Sequence, residues 1–82
     1  MQIKFTKHAR EKLVERQIKE EWIVDCIENP DLIIPADRGN KAYVKDMGKI
    51  FLKTIVAEEG DEHIVITVYW FTKTRLKRYN SN

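Results

Sequence analysis

His8, Lys12 and Arg16 recur every four residues, so a helix through them sets an imidazole, an ammonium and a guanidinium in one cationic line. An imidazole titrates near pH ~6.5 and suits proton transfer, and fixed cations beside it suit charge developing on a phosphate. Plainer roles compete residue by residue. Lys12 suits a surface ion pair, Arg16 can lie across a sheet edge, and His8 can hydrogen-bond near the helix start. Covalent hydrolase chemistry has little support, because Thr6, Thr54, Thr67, Thr72 and Thr74 lack a nucleophile elbow, a glycine-rich phosphate loop or a His–carboxylate motif around them. Asp61, Glu62 and His63 read as a solubilising turn. The lone Cys26 reads as a small buried hydrophobe, with no partner for a disulfide and no spacing for zinc or another metal. No cofactor motif is present.

These residues need elements to hold them. Ile3 and Phe5 alternate with polar neighbours as a short first strand, and Thr6 can cap a helix reaching about Gln17, with Ala9 and Leu13 on its buried stripe. After the Ile18-Lys19 connection, Glu20 and Glu21 favour the positive end of a second helix. Trp22, Ile23, Cys26 and Ile27 form its wide apolar face, and Asn29-Pro30 stops it. Period-two alternation follows, with turn signals at Gly39-Asn40, Gly48 and Gly60-Asp61, giving four strands near 31–38, 41–46, 49–58 and 63–71. The expected fold is α+β: a short N-terminal strand, then two helices packed on an antiparallel sheet of about four further strands, with room for a short C-terminal helix.

Opposed residues of an antiparallel pair point to one face, which lets the hairpins be registered from their side chains. A three-residue loop Gly60-Asp61-Glu62 pairs Val56 with Ile66, Ile55 with Thr67, Lys53 with Tyr69 and Leu52 with Trp70. A loop Asp46-Met47-Gly48 sets Tyr43 opposite Phe51, Lys41 opposite Lys53 and Lys45 opposite Lys49. The face away from the helices then interleaves Lys41, Lys45 and Lys53 with Tyr43, Phe51, Tyr69 and Phe71. Lysines with aromatics can hold single-stranded RNA, by neutralising phosphates and stacking bases. A solvated face whose lysines discourage edge pairing is the bland counterpart.

At 82 residues the chain makes one domain, 1–82, ending in a basic tail, 72–82. With 43% hydrophobic and 34% charged residues it falls outside the disordered class. A net charge of +2 does not diagnose nucleic-acid binding, but Lys73, Arg75, Lys77 and Arg78 close the chain without one acid among them. No apolar leader or spanning stretch is seen, so the expected location is cytoplasmic, with no membrane.

The segment from Phe5-Thr6-Lys7-His8-Ala9-Arg10 through Glu15-Arg16-Gln17-Ile18, then Glu20-Glu21 and Asn29-Pro30, resembles the opening of a small prokaryotic family of unknown function. Ile64-Val65-Ile66-Thr67-Val68-Tyr69-Trp70 looks like its closing strand. The element order also resembles the RelE/ParE-like toxin fold, and the ending Thr72-Lys73-Thr74-Arg75-Leu76-Lys77-Arg78-Tyr79 is similar to the basic tail of BrnT-type toxins. That resemblance implies metal-free RNA cleavage and an antitoxin protein that covers the site. Residue by residue, the N-terminal signature carries over to His8 and Arg16, and the basic tail to Arg75, Arg78 and Tyr79. The compact Arg/Lys/His cluster of the ribonuclease members is missing from neighbouring strands.

The reading that combines these features is a toxin-type, metal-independent endoribonuclease. His8 serves as acid or base, Arg16, Lys53 and Arg75 stabilise the phosphate, and Tyr69 contacts the RNA. Lys12, Lys41, Tyr43, Lys45, Phe51, Lys73, Arg78 and Tyr79 line the path of the strand. The alternative is a non-catalytic module that binds RNA or a protein partner through the same face.

Overall fold

The computed structural model describes residues 1–72. In chain order the elements are strand β1 (Gln2–Phe5), helices α1 (Lys7–Glu15) and α2 (Glu20–Glu28), strand β2 (Leu32–Pro35), a 3-10 turn at Asp37–Gly39, and strands β3 (Lys41–Asp46), β4 (Phe51–Glu59) and β5 (Glu62–Phe71). The sheet order is β1-β5-β4-β3-β2. β2 to β5 form the expected antiparallel meander, and β1 adds parallel to β5, making the five-stranded sheet mixed. The expected α+β class therefore holds. The basic tail from Lys73 onward, with Arg75, Arg78 and Tyr79 and any C-terminal helix, lies outside the described residues.

Helix α1 begins where its cap residue allows. Thr6 sits in extended backbone and its hydroxyl accepts from the Ala9 N–H at 3.0 Å, answering one of the orphan donors of the first turn. The same hydroxyl donates to the Ile66 carbonyl at 3.2 Å, tying the helix start to β5. At the far end, Ile18 N–H bonds to Leu13 O at 2.8 Å and Gln17 N–H to Val14 O at 3.2 Å, with Gln17 at φ 56°. This is a Schellman ending, a role glycine usually fills. Helix α2 lacks a side-chain cap but carries Glu20 and Glu21 in its first turn, and it buries Ile23, Cys26 and Ile27.

The helices cover one face of the sheet, where Tyr43, Leu52, Val56, Val65 and Val68 join Ala9, Ile18, Ile23, Cys26 and Ile27 in the main core. Trp22 and Trp70 pack at its margin, ring centroids 6.2 Å apart. Cys26 lies under β3 and β4, its thiol donating to Tyr43 O at 3.3 Å. Burial pushes that thiol up to about 11, so it is the inert core sulfur its helical position suggested.

The two hairpins differ from the sequence expectation in instructive ways. Between β4 and β5 the turn is Gly60-Asp61 alone, with Glu59 opposite Glu62, and the expected third loop residue is replaced by a bulge. The ladder shifts by one residue between Ile55 and Val56, so Val56 faces Val65, not Ile66. Beyond the bulge the expected pairs stand: Ile55 with Thr67, Lys53 with Tyr69, Leu52 with Trp70. A two-residue turn plus one bulged residue leaves the distant register where a three-residue loop would put it.

Between β3 and β4 the expectation fails. The loop is the four residues 47–50, closed by Met47 N–H to Ile50 O at 3.0 Å and by Gly48 N–H to the Asp46 carboxylate at 2.8 Å. Tyr43 therefore faces Thr54, Lys41 faces Val56 and Lys45 faces Leu52. The shift is three residues, an odd number, so every side chain of β3 changes face relative to the expected pairing. Tyr43, Lys41 and Lys45 go to the helix side, away from Phe51 and Lys53.

Candidate functional site

The face opposite the helices is not the open plane that alternation suggests. Val44 and Phe71 are 0% and 2% exposed there and form a second apolar cluster with Phe51, flanked by Leu32 and Ile34. Lys53 sits among them at 8% exposure, with its Nζ 4.6 Å from the centre of the Phe71 ring and 5.3 Å from that of Tyr69. A buried ammonium beside two aromatic faces is held by the rings' negative quadrupoles.

Arg16 reaches the same tyrosine from the other side of the sheet. β1 pairs with β5 only as far as Val65, which leaves the next stretch of β5 without a strand on that edge, β4 covering the other. Helix α1 runs beside this edge, and Arg16 Nη1 donates to the Val68 carbonyl at 2.7 Å. The Arg16 carbonyl in turn accepts from Trp70 Nε1 at 3.1 Å. Held at both ends, the residue places its guanidinium 5.9 Å from the Tyr69 ring centre. Arg16, Tyr69 and Lys53 thus form one cation–aromatic cluster contributed by α1, β5 and β4.

Beside the cluster lies a cavity of about 380 Å³. Lys53, Thr67 and Tyr69 line it from the sheet, and Asp37 and Asn40 line it from the turn before β3. Ile34, Ala42 and Ile55 make apolar wall. The sequence does not single out Asp37, Asn40 or Thr67 as site residues, Thr67 standing out only as a hydroxyl opposite Ile55. Gly39-Asn40 signalled a turn, and nothing in a turn signal says that its side chains border a lysine thirteen residues further on.

The remaining expected residues disperse. His8 is exposed on the first turn of α1, about 12 Å along the axis from Arg16. Among the described residues it shares no hydrogen bond, ion pair or ring contact with Tyr69 or Lys53. Lys12 pairs with Glu15 at 3.1 Å, and that hydrogen bond holds the Glu15 carboxyl below its usual range. Lys45 donates to Asn29 O at 2.7 Å, satisfying a carbonyl at the end of α2. Phe51 remains on the face of Lys53, inside the second apolar cluster.

Lys41 and Tyr43 converge on Glu58, Lys41 Nζ at 2.7 Å and the Tyr43 hydroxyl at 3.2 Å. The hydrogen bond from Lys41 lowers the Glu58 carboxyl and raises Lys41, whereas burial is the main cause raising Tyr43. His63 Nε2 also approaches Glu58, at 3.3 Å, and its Nδ1 is buried without a hydrogen-bond partner among the described residues. His63 and Glu58 thus pair across β4 and β5 within the hairpin, away from the Arg16–Tyr69–Lys53 cluster. Among the described residues no group of three His, Cys, Asp or Glu side chains is placed to hold a metal, and no helix is long and apolar enough to cross a membrane.

A cluster and cavity held by a two-helix, mixed-sheet α+β domain define the class to which this protein answers. Residues 5–70 match the model of DUF4258, a domain of unknown function, and the chain belongs to that family. The match covers the segments that carried the resemblance to such a family and stops before the basic tail; nothing in it links the chain to the RelE/ParE-like or BrnT-type toxins. No curated protein and no solved structure matches the chain.

Proposed function

We propose that this domain binds single-stranded RNA at the Arg16–Tyr69–Lys53 cluster and cleaves it there without a metal, in the manner of a toxin-type endoribonuclease. The observation that carries this reading is the convergence of two cations from different elements on one tyrosine beside a cavity. Fixed cations neutralise phosphate, and an aromatic ring with a hydroxyl serves both stacking and proton traffic.

In the proposed reaction the ribose 2′-hydroxyl loses its proton as its oxygen attacks the adjacent phosphorus. The 2′-O–P bond forms, the P–O5′ bond breaks, and the leaving 5′-oxygen gains a proton, giving a 2′,3′-cyclic phosphate and a 5′-hydroxyl end. Arg16 and Lys53 stabilise the extra charge on the pentacoordinate phosphorus. The Tyr69 hydroxyl takes the proton-carrying role that the spacing of His8 suggested for an imidazole. An antitoxin protein seated over the cluster would block both steps.

Binding without turnover is the second reading, favoured by the position of His8 away from the cluster. One experiment separates the two. Purified protein is incubated with mixed RNA, with and without chelator, beside Tyr69→Phe and His8→Ala. Chelator-resistant cleavage, slowed about a hundredfold or more in Tyr69→Phe and retained in His8→Ala, supports the ribonuclease. Salt-sensitive binding with no product moves the function to the RNA-binding module, and the absence of both refutes RNA as the target.

A further inference from the structure

The cavity beside Tyr69 combines features that a bare phosphate grip does not need. Its volume of about 380 Å³ lies within the range of small-ligand sites, roughly 300–1,000 Å³, and is ample for one base with part of its ribose. Its walls are apolar at Ile34, Ala42 and Ile55, while its polar groups come from Lys53 on β4, Thr67 and Tyr69 on β5, and Asp37 with Asn40 on the turn preceding β3.

That turn is internally tied. Asn40 N–H bonds to Asp37 O at 3.1 Å and Ala36 N–H to Asn40 O at 2.9 Å. Arg38 and Gly39 between them both have positive φ, 61° and 77°, and the residues on either side, exposed Asp37 and half-buried Asn40, both line the cavity. A carboxylate in such a place only accepts hydrogen bonds, whereas the amide and the hydroxyl both donate and accept.

We propose that this cavity is a subsite for one unstacked nucleobase of the bound RNA, and that Asp37 makes it select guanine. The inference rests on the RNA reading above. Guanine is the base that presents two adjacent donors, N1–H and the N2 amino group, matching the two oxygens of one carboxylate. Adenine and cytosine set an acceptor beside their amino group, and uracil has a single N–H. Asn40 and Thr67 then serve the O6 and N7 acceptors. Recognition of an extruded base through its pairing edge is the general way single strands are read.

The test uses the full 82-residue chain and 5′-labelled RNA octamers: all-uridine, and the same octamer with one central guanosine, inosine, adenosine or cytidine. Phosphates are constant across the set, so affinity differences report the base. A 2′-deoxy nucleotide 5′ to any scissile bond prevents cleavage during the measurement. The guanosine octamer binds about tenfold tighter than all-uridine, in line with the roughly 1–3 kcal/mol of a bidentate base contact. Inosine, which lacks the N2 amino group, falls between. Asp37→Asn brings the guanosine octamer down to the all-uridine level, while Asp61→Asn at the distant hairpin tip leaves the preference in place. Equal binding of all octamers, a preference for another base, or a guanosine preference that survives Asp37→Asn overturns the subsite and leaves the RNA reading standing. Failure of every octamer to bind overturns both.

Discussion

Arg16 closes the free edge of β5: its guanidinium donates to the Val68 carbonyl at 2.7 Å, just past the point where β1 stops covering that strand. One side chain thereby satisfies a sheet carbonyl, ties the end of α1 to β5 and sets a cation beside Tyr69. Replacing it tests structure and binding together. Arg16→Ala should cost about 1.5–3 kcal/mol of unfolding free energy, the usual worth of a hydrogen bond from a charged donor. Arg16→Lys should recover only part, since an ammonium lacks the planar fork. Urea denaturation of the two variants measures both effects, and equal stability of wild type and Arg16→Ala would show the contact to be dispensable.

The register sets Lys53 and Tyr69, the residues proposed to contact RNA, on the sheet face opposite that of Lys41 and Lys45. Lys53→Gln and Tyr69→Ala should each weaken RNA binding about tenfold, and Lys53→Gln should also lower the slope of log affinity against log salt by about one phosphate's worth. Lys41→Gln and Lys45→Gln, on the helix side, should leave that slope unchanged. A filter-binding titration at several salt concentrations decides, and a loss on mutating Lys41 equal to that for Lys53 would refute the face assignment.

Gln17 holds the left-handed position of the Schellman ending at φ 56°. A side chain pays roughly 1–2 kcal/mol there, whereas glycine does not. Gln17→Gly should raise stability by about 1 kcal/mol, less the entropy of a looser unfolded chain. The denaturation midpoint reads the sign directly.

Lys41 and Glu58 set a pH window. The Glu58 carboxyl is lowered in the folded state, so its contribution is present above the ordinary carboxylate range and disappears as pH falls through the lowered value. Lys41 is raised, so its contribution is present below the ordinary lysine range and is lost as pH rises through the raised value. Stability from the pair spans the range between these limits. Glu58→Gln should flatten the acid limb of a stability–pH profile, and an unaltered acid limb would assign that limb to other carboxylates.

Cys26 should not react at neutral pH in the folded protein. A thiol raised from 9.0 to about 11 holds roughly a hundredfold less thiolate, and its sulfur has no exposed surface. Labelling with a thiol reagent should wait on unfolding and speed up by at least that factor in denaturant. Rapid labelling without denaturant would contradict its place beneath β3 and β4.

Much of this protein follows from local chemistry that a sequence displays. Thr6 caps α1, Asn29-Pro30 ends α2, and alternation marks the strands, because each depends on residues only a few positions apart. The pairing of Lys53 with Tyr69 was also legible, since two apolar rows had to meet on one face. What tertiary structure decided was parity. A four-residue turn after Asp46 moved Tyr43, Lys41 and Lys45 to the helix side, and neither alternation nor Gly48 distinguishes that turn from a three-residue one. The bulge near Ile66 likewise leaves the hydrophobic pattern intact while resetting every pair between it and the turn. The site shows the same division. The Arg16–Tyr69 contact needs the end of one helix beside an uncovered strand edge, and the cavity needs the turn at Asp37–Asn40 folded against β4 and β5. Such neighbours are set by how strands twist and where they stop, and a period-two pattern carries information about neither.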